Sequence, residues 1–365
     1  MKQRFALFIL LTFLSLALIV PWRIFTTGSG LGVRNQPLGT LQLIANPAYR
    51  LMAVGDLNFA GIESFLLNDP HYPWIGTKKV LSTATILIGN QEVPFSNRGQ
   101  VYVKKRWSLR ADPRTAASLT TAGFDLVTLA NNHIMDYGVS ALEDTLFILN
   151  QNSIAHAGAG LNLAAARKPA VLKTPDGQRI AFLAYSQTFP AEFWAQVNRP
   201  GTANADSQIL AADIRNAKTQ ADMVVVSFHW GEELLNYPKP YQKKFAHECI
   251  DAGASIVIGH HPHVLQGMEV YRGGLIAYSL GNFLFGSYSA KSTDSAILAV
   301  DFDRNGLIQA QVYPVNVNNR EVSFQTKLRH GADAQRVLAD LRTFSAEFTT
   351  RIKTVGDTGI IPISR

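Results

Sequence analysis

Short apolar runs, each ending in a polar loop, recur along the chain between segments of helical periodicity. Apolar runs of this length bounded by Gly or Asn are typical of buried strands, and their alternation with helices is typical of an α/β domain. The predicted strands lie at 51–54, 83–88, 124–130, 179–185, 223–228 and 256–258, with a late hairpin of 296–301 and 307–312. Asn305-Gly306 is the predicted turn of that hairpin.

Helices are predicted between these strands from their start and stop residues. Asp112 and Pro113 favour a helix start, and Gly123 favours its end, which predicts a helix at 112–122. The other predicted helices lie at 139–151, 213–219, 241–252 and 332–352. The last of these is amphipathic and carries no recognisable chemistry.

The N-terminal segment has the order of a secretory signal. Lys2 and Arg4 precede the uncharged run 5–20, and no small-x-small cleavage site follows before Arg23. This favours an uncleaved signal anchor at 1–27 and a cell-membrane protein that spans the bilayer once, with the domain on the extracytoplasmic side. A cleaved signal, giving a secreted or periplasmic protein, is the alternative. The predicted organisation continues with a linker at 28–48, the main domain at 49–320 and a C-terminal helical extension at 321–365.

Composition narrows the class of protein. With 365 residues, 47% hydrophobic and 17% charged, the chain is globular. The net charge of +7 favours contact with anionic polymers or surfaces, although a mildly basic soluble surface has the same charge. No Lys/Arg-rich run with interleaved aromatics occurs, which argues against nucleic acid as a partner. Cys249, the single cysteine, excludes an internal disulfide and a multi-cysteine zinc site.

Metal-capable side chains follow five of the predicted strands. Because ligands bind at the carboxyl ends of strands in open α/β sheets, these side chains are expected to converge on one site. The mixture of carboxylate, amide and imidazole suits manganese, iron or zinc and is too rich in nitrogen for a calcium site. The residues are Asp56, Asn90, Glu92, Asn132, His133, His229, His260, His261 and His263.

The motifs around these residues resemble a known family. They are Gly55-Asp56, Asn90-Gln91-Glu92, Asn131-Asn132-His133 with Asp136-Tyr137-Gly138, His229-Trp230-Gly231, Gly259-His260-His261-Pro262-His263 and Tyr278-Ser279-Leu280-Gly281-Asn282-Phe283. In this order they are similar to the CapA family of capsule and poly-γ-glutamate synthesis proteins, which are related to calcineurin-like metallophosphoesterases. The resemblance runs from residue 51 to residue 285. It implies a four-layer α/β/β/α metallophosphoesterase-like sandwich.

The resemblance also implies roles for individual residues. It places the metal ligands at Asp56, Asn90, Glu92, Asn132, His229, His261 and His263. It places a catalytic histidine, which assists the leaving group, at His133. The register of Gly259-His260-His261-Pro262-His263 leaves His260 as an alternative to His261, and the His-x-His spacing favours His261 with His263.

This chain departs from the superfamily pattern at three positions. Asn58 stands where the phosphoesterases have the histidine of Asp-x-His, and Asn90 stands where they have the aspartate of Gly-Asp. Gly61 stands where CapA proteins usually have arginine. We therefore expect one strongly held divalent ion, or two held unequally.

Two functions follow from the resemblance. The first is synthesis of a capsule or an anionic surface polymer of the poly-γ-glutamate type, with a metal-dependent phosphoesterase or related hydrolase site. The second is metal binding without turnover, in polymer export or attachment alongside synthase or export proteins. An anionic polymer or a phosphoester is the expected ligand, and a basic stretch could contact it: Arg98, Lys104, Lys105, Arg106 and Arg110.

Overall fold

A computed structural model describes residues 49–204 and 206–364. Eighteen strands lie in this part of the chain. They are β1 Tyr49–Asn58, β2 Ile86–Gln91, β3 Leu126–Thr128, β4 Ala155–Ala157, β5 Ala159–Gly160, β6 Ala170–Lys173, β7 Arg179–Ser186, β8 Gly201–Thr202, β9 Met223–His229, β10 Ile256–His260, β11 Met268–Tyr271, β12 Gly274–Ala277, β13 Asn282–Phe285, β14 Asp294–Asp303, β15 Gly306–Asn316, β16 Lys327–Leu328, β17 Lys353–Val355 and β18 Thr358–Pro362.

Helices connect most of the parallel strands. Their ends follow local chemistry: the Asp206 carboxylate accepts hydrogen bonds from two backbone N–H groups at the start of one helix, and Gly123 ends another with a φ of 89°. The helices are α1 Glu63–Asn68, α2 Lys78–Leu81, α3 Ala117–Ala122, α4 Gly138–Gln151, α5 Leu163–Arg167, α6 Ser207–Lys218, α7 Pro240–Asp251, α8 Asn319–Val322 and α9 Gly331–Ser345.

The strands form two large mixed sheets. The first has the order β17-β18-β15-β14-β1-β2-β3-β4, with β13 beside the end of β1 and β16 beside β15. Strands β1 to β4 are parallel in it, and β14 is antiparallel to β1. The second sheet has the order β11-β12-β10-β9-β7-β6, with β12, β10, β9 and β7 parallel. Strands β5 and β8 form a separate antiparallel pair.

Alternation of side chains along the strands separates three apolar layers. Leu51 and Leu298 of the first sheet share one buried cluster with Phe182 and Ile258 of the second, so this cluster lies between the sheets. The other face of the first sheet packs against α3 and α4. The other face of the second packs against α6 and α7. The predicted four-layer α/β/β/α sandwich is confirmed.

The strands and helices agree in order with the prediction and differ at their limits. The strand predicted at 83–88 is β2, Ile86–Gln91, so Asn90 lies within the strand and not after it. The helix predicted at 112–122 begins as a 3-10 turn, Pro113–Ala116, before α3. The amphipathic helix predicted at 332–352 is the shorter α9, which adds Val337 and Leu341 to the layer between the sheets. After it, β17 and β18 extend the first sheet.

The predicted location as a single-pass membrane protein is corrected. Within residues 49–204 and 206–364, none of the helices has the length and hydropathy that a membrane span requires. The predicted signal anchor at 1–27 and linker at 28–48 lie outside the described residues. The predicted domain limits stay predictions.

Candidate metal centre

Two glycines allow the ends of the central strands to approach neighbouring backbone. A Cβ on Gly55 would lie 2.0 Å from the carbonyl oxygen of Gly281, and a Cβ on Gly259 would lie 1.9 Å from that of Tyr278. Neither position can accommodate a side chain. The N–H of Asp56 donates to the carbonyl of Gly281 at 3.0 Å. Glycine at these positions therefore places Asp56 at the edge where both sheets end.

Asp56 is the centre of the contacts at this edge. It is fully buried, and its Oδ1 accepts a hydrogen bond from Asn90 Nδ2 at 2.8 Å. The Nδ1 atoms of His260 and His263 each lie 3.3 Å from its carboxylate, and the backbone N–H of His261 donates to Oδ2 at 3.2 Å. Burial alone raises the pKa of Asp56, but the contacts with His260 and His263 outweigh it and hold the pKa well below its usual range.

Glu92 is a buried carboxylate without a hydrogen-bond partner. Neither of its oxygens accepts a hydrogen bond within the described residues, and Nε2 of His133 and Nε2 of His263 each lie 3.9 Å away. Burial raises the pKa of Glu92 to about 8. One ligand atom each of Asp56, Glu92 and His263 fall within 4.8 Å of one another. An unpaired buried carboxylate beside imidazoles is the donor set that a divalent cation takes, so these residues fit a metal ion.

The loop after β10 holds two histidines in strained backbone conformations. His261 has a φ of 93° and His263 a φ of 57°, a region that non-glycine residues rarely adopt. Nδ1–H of His263 donates to Asn282 Oδ1 at 2.9 Å, which leaves its Nε2 facing Glu92. Burial lowers the pKa of His263, but Glu92 and Asp56 outweigh it and raise the pKa to about 9. Burial lowers the pKa of His261 to about 3, and its Nδ1 has no partner within the described chain.

His229, at the end of β9 in the second sheet, contacts Asn132, which follows β3 of the first sheet. His229 Nε2 donates to Asn132 Oδ1 at 2.8 Å, and the His229 ring lies 4.8 Å from that of His261. Burial holds the pKa of His229 well below its usual range. His229 and His261 are therefore neutral at neutral pH, the form in which imidazole binds metals.

Asn90 is close to the centre but presents its amide nitrogen to Asp56. Its Oδ1 lies 3.3 Å from Asn131 Nδ2 and 3.4 Å from Thr128 Oγ1, both donors. Asn131 in turn accepts from the backbone N–H groups of His133 and Ile134 through its Oδ1. In this arrangement Asn90 holds the Asp56 carboxylate in place, and Asn131 holds the loop that carries His133.

His133 belongs to a polar cluster that the sequence analysis did not anticipate. Its Nδ1–H donates to Asp136 Oδ2 at 2.7 Å, and Asp136 Oδ1 lies 2.6 Å from the ammonium of Lys105. That ammonium also contacts Nδ1 of His133 at 3.0 Å and the carbonyl of Asn132. Burial lowers the pKa of His133 and the pKa of Lys105. Lys105 comes from the irregular segment 96–111, so strand-end patterns gave no signal for it.

The predicted basic stretch is partly engaged within the protein. Arg98 pairs with Asp144 at 2.5 Å, and the guanidinium of Arg110 lies 4.3 Å from the ring centroid of Tyr137. Lys105 points into the site, as described above. Lys104 and Arg106 are exposed.

Comparisons with known proteins identify the family of this chain. Residues 50–287 match the family model "Bacterial capsule synthesis protein PGA_cap". The chain belongs to this family. It is 32% identical over 293 residues to the capsule biosynthesis protein CapA of Bacillus anthracis, an alignment that covers 78% of this chain and 71% of that protein. It is 35% identical over 240 residues to the PGA biosynthesis protein CapA of Bacillus subtilis (strain 168), covering 66% of this chain and 63% of that protein.

The CapA resemblance inferred from the motifs is thereby confirmed. Among solved structures, the NAD nucleotidase of Haemophilus influenzae is similar with a TM-score of 0.43 and 12% identity, covering 81% of this chain and 62% of that one. The layer order of the present chain is established by its own two sheets and the helices on their outer faces.

Proposed function

We propose that the protein acts in the synthesis of a capsule or an anionic surface polymer of the poly-γ-glutamate type, through a metal-dependent site that hydrolyses a phosphoester. The relatives from B. subtilis and B. anthracis are a PGA biosynthesis protein and a capsule biosynthesis protein, which supports the process. The observation that carries the chemistry is Glu92, whose buried carboxylate lacks a hydrogen-bond partner in the described chain and lies with Asp56 and His263 within 4.8 Å.

The residues that would hold the ion come from both sheets. They are Asp56, Glu92, Asn132, His229, His261 and His263, with Asn90 holding Asp56 in place. A divalent ion bound there supplies positive charge that polarises a phosphoryl oxygen and lowers the pKa of water. The mixed oxygen and nitrogen donors suit manganese, iron or zinc.

His133 is the proposed acid–base residue. Asp136 fixes its Nδ1–H, so Nε2 is the nitrogen that faces Glu92 and the cluster. Burial lowers the pKa of His133, which keeps the free imidazole neutral. An anionic phosphoryl group beside Nε2 favours the imidazolium, and that imidazolium can give its proton to the departing oxygen. Lys105 and Asp136 act by holding the ring in this orientation.

Asn58 supports a single tightly held ion, or two held unequally. Its Oδ1 already accepts the backbone N–H of Ala60 at 2.9 Å, so that carbonyl oxygen is committed within the loop. Asn90, the other departure from the superfamily pattern, turns its nitrogen toward Asp56. The chain therefore offers fewer free oxygen ligands than a symmetric two-metal site needs.

The test measures metal content and phosphoester hydrolysis on the same sample of the full chain. The wild type is expected to retain metal through purification and to hydrolyse a phosphomono- or diester. His261→Ala is expected to lose both, and His133→Ala to keep the metal and lose turnover by about 10²–10⁴-fold. His71→Ala removes an exposed histidine and is the matched control. Turnover that persists in His133→Ala would exclude the assigned chemistry.

The second candidate function is retention of the polymer without turnover. The net charge of +7 and the exposed Lys104 and Arg106 favour it. It predicts metal in the wild type, no hydrolysis, and salt-sensitive binding of poly-γ-glutamate that weakens in His261→Ala. Binding that ignores both salt and this substitution would count against it.

A further inference from the structure

A cavity of about 410 Å³ adjoins the candidate metal centre. His133, His263 and Asn282 line one part of it, and the segment from Phe285 to Ser292 lines another. A cavity of this size takes a small organic group, since ligand pockets commonly measure about 300–1,000 Å³. The candidate metal centre accounts for the first part of this lining and leaves the remainder without a role.

The lining of this cavity combines aromatic and aliphatic surface, the latter from Leu109 and Leu234, with hydroxyl groups. Trp107, whose side chain is 61% exposed, and Phe285 supply aromatic surface. Ser287, Ser289 and Ser292 supply hydroxyl groups. Neither lysine nor arginine occurs among the described residues that line it, and Glu233 is its one carboxylate. Away from His133 and His263, an anionic group entering this cavity would lose water without gaining a counter-charge.

Asn58 supplies a buried donor on the same cavity. The residue is only 2% exposed, and its Oδ1 is taken by the N–H of Ala60. Its Nδ2 donates no hydrogen bond to any other described residue, so this group is available to a ligand oxygen. Glu233, exposed and without an ion pair in the described chain, is available as an acceptor for a ligand hydroxyl.

Two cations of the neighbouring segment, Lys105 and Arg106, are absent from the lining of this cavity. The ammonium of Lys105 contacts Asp136 and the carbonyl of Asn132, and the guanidinium of Arg106 lies 5.6 Å from the ring centroid of Trp107. Neither side chain lines the cavity. The chemistry that remains is an aromatic wall with separate donors and acceptors, which suits a neutral ring bearing several hydroxyl groups.

We propose that this cavity is a subsite for a sugar residue, which lies beside the group that reacts between His133 and His263. The position of the sugar beside a reacting group rests on the proposed function, whereas sugar binding in the cavity does not depend on that function. The substrate class would then be a sugar phosphoester or a polymer end linked to a sugar, with the neutral ring in the cavity and the anionic group at the metal centre.

The test is saturation-transfer NMR on the full chain, with glucose and N-acetylglucosamine as neutral probes and tri-γ-glutamate as the anionic probe. We expect transfer to the sugar ring protons, and at least tenfold weaker binding in Trp107→Ala. Glu233→Gln is expected to weaken binding about threefold while leaving the aromatic wall intact. Phe189→Ala removes an aromatic residue that is 75% exposed and lies outside the cavity, and it is the matched control.

Three outcomes would overturn the proposal. Absence of transfer to both sugars, or sugar binding that Trp107→Ala leaves unchanged, would overturn it. Displacement of the sugar by tri-γ-glutamate in a Trp107-dependent manner would also overturn it, because the cavity would then accept anions. Sugar binding that persists in His261→Ala supports the subsite even if the metal-dependent hydrolysis fails, whereas hydrolysis without sugar binding would remove the subsite alone.

Discussion

The same strands contribute to two regions of different character: the apolar layer between the sheets, and the polar edge where the strands end. Strand β10 places Ile256 and Ile258 in the apolar layer, and two residues later His260 faces Asp56. Strand β1 likewise places Leu51 in the apolar layer and Asp56 at the edge. The layer contains apolar side chains in regular strands. The edge contains buried charged residues, a Glu92 carboxylate without a hydrogen-bond partner in the described chain, and positive φ angles at His261 and His263. Backbone strain and a buried carboxylate without a hydrogen bond point to ligand binding at such an edge, while the layer supplies stability.

Truncation in the layer between the sheets should have the largest effect. Leu298 on β14 is fully buried in it, so Leu298→Ala is expected to lower the free energy of unfolding by about 2–5 kcal/mol. Metal affinity per folded molecule should stay unchanged, because the strand partners of Leu298 are the apolar residues Ala53 and Val312. Urea denaturation and metal titration on the same variant measure the two quantities. A large change in affinity would mean that the layer and the edge are coupled.

The next largest effect is expected in the metal-free protein, whose free energy of unfolding should depend on pH because of two groups at the edge. Glu92 has its pKa raised to about 8 and His263 to about 9, so the folded chain binds more protons than the unfolded chain above pH 6.5. The free energy of unfolding should therefore fall from pH 6.5 to 8. Each group contributes up to about 1.4 kcal/mol per pH unit, which gives at most about 4 kcal/mol for the two.

Urea denaturation of the chelator-treated protein across this range measures the decline. The neutral imidazoles of His229 and His261 act with the opposite sign below pH 6.5, since their pKa values are lowered, and do not contribute in this window. Glu92→Gln should remove more than half of the decline, because it removes the titration of Glu92 and also the charge that raises the pKa of His263. A flat profile in the wild type would show that Glu92 and His263 are not protonated together at the edge.

The sequence predicts the residues of the edge that follow strands, but not those that come from irregular segments. The strand-end pattern found Asp56, Glu92, Asn132, His229 and His263, because parallel strands bring their carboxyl ends together whatever the loops do. It could not find Lys105, which reaches Asp136 from the irregular segment 96–111 across 31 residues, and whose position depends on the path of that segment. Long-range contacts of this kind leave no periodic signal in one sequence.

The strands also differ in how well the sequence predicts them. The apolar pattern of the sequence located β1, β2 and β9. It missed β17, whose three residues are all exposed, and β18, in which only two of five residues are buried. The orientation of the Asn90 amide was also outside the reach of the sequence. It follows from Asn131 and Thr128, two donors that the fold places beside its Oδ1.

A smaller effect is expected from the residue that orients His263. Asn282 accepts the Nδ1–H of His263 at 2.9 Å, so Asn282→Ala should weaken metal binding by about 10–100-fold. This change corresponds to about 1.4–2.7 kcal/mol of binding free energy. Isothermal titration with zinc or manganese measures it. Asn152→Ala, which removes an asparagine at the end of α4 from its hydrogen bond to Ile148, is the matched control. Equal affinities in the two variants would contradict the orienting role.

The smallest effect is expected from the exposed surface, and it sets the scale for the comparison between layer and edge. Arg336 pairs with Asp294 at 3.0 Å with its side chain 46% exposed, and Arg329 contacts the same carboxylate at 2.9 Å. Arg336→Gln should therefore change the free energy of unfolding by less than about 1 kcal/mol. Urea denaturation at low and high salt measures it, and a larger loss would show that this pair is part of the fold. If Asn282→Ala changes stability no more than Arg336→Gln does, yet weakens metal binding, then the edge is shaped by binding and the layer alone holds the fold together.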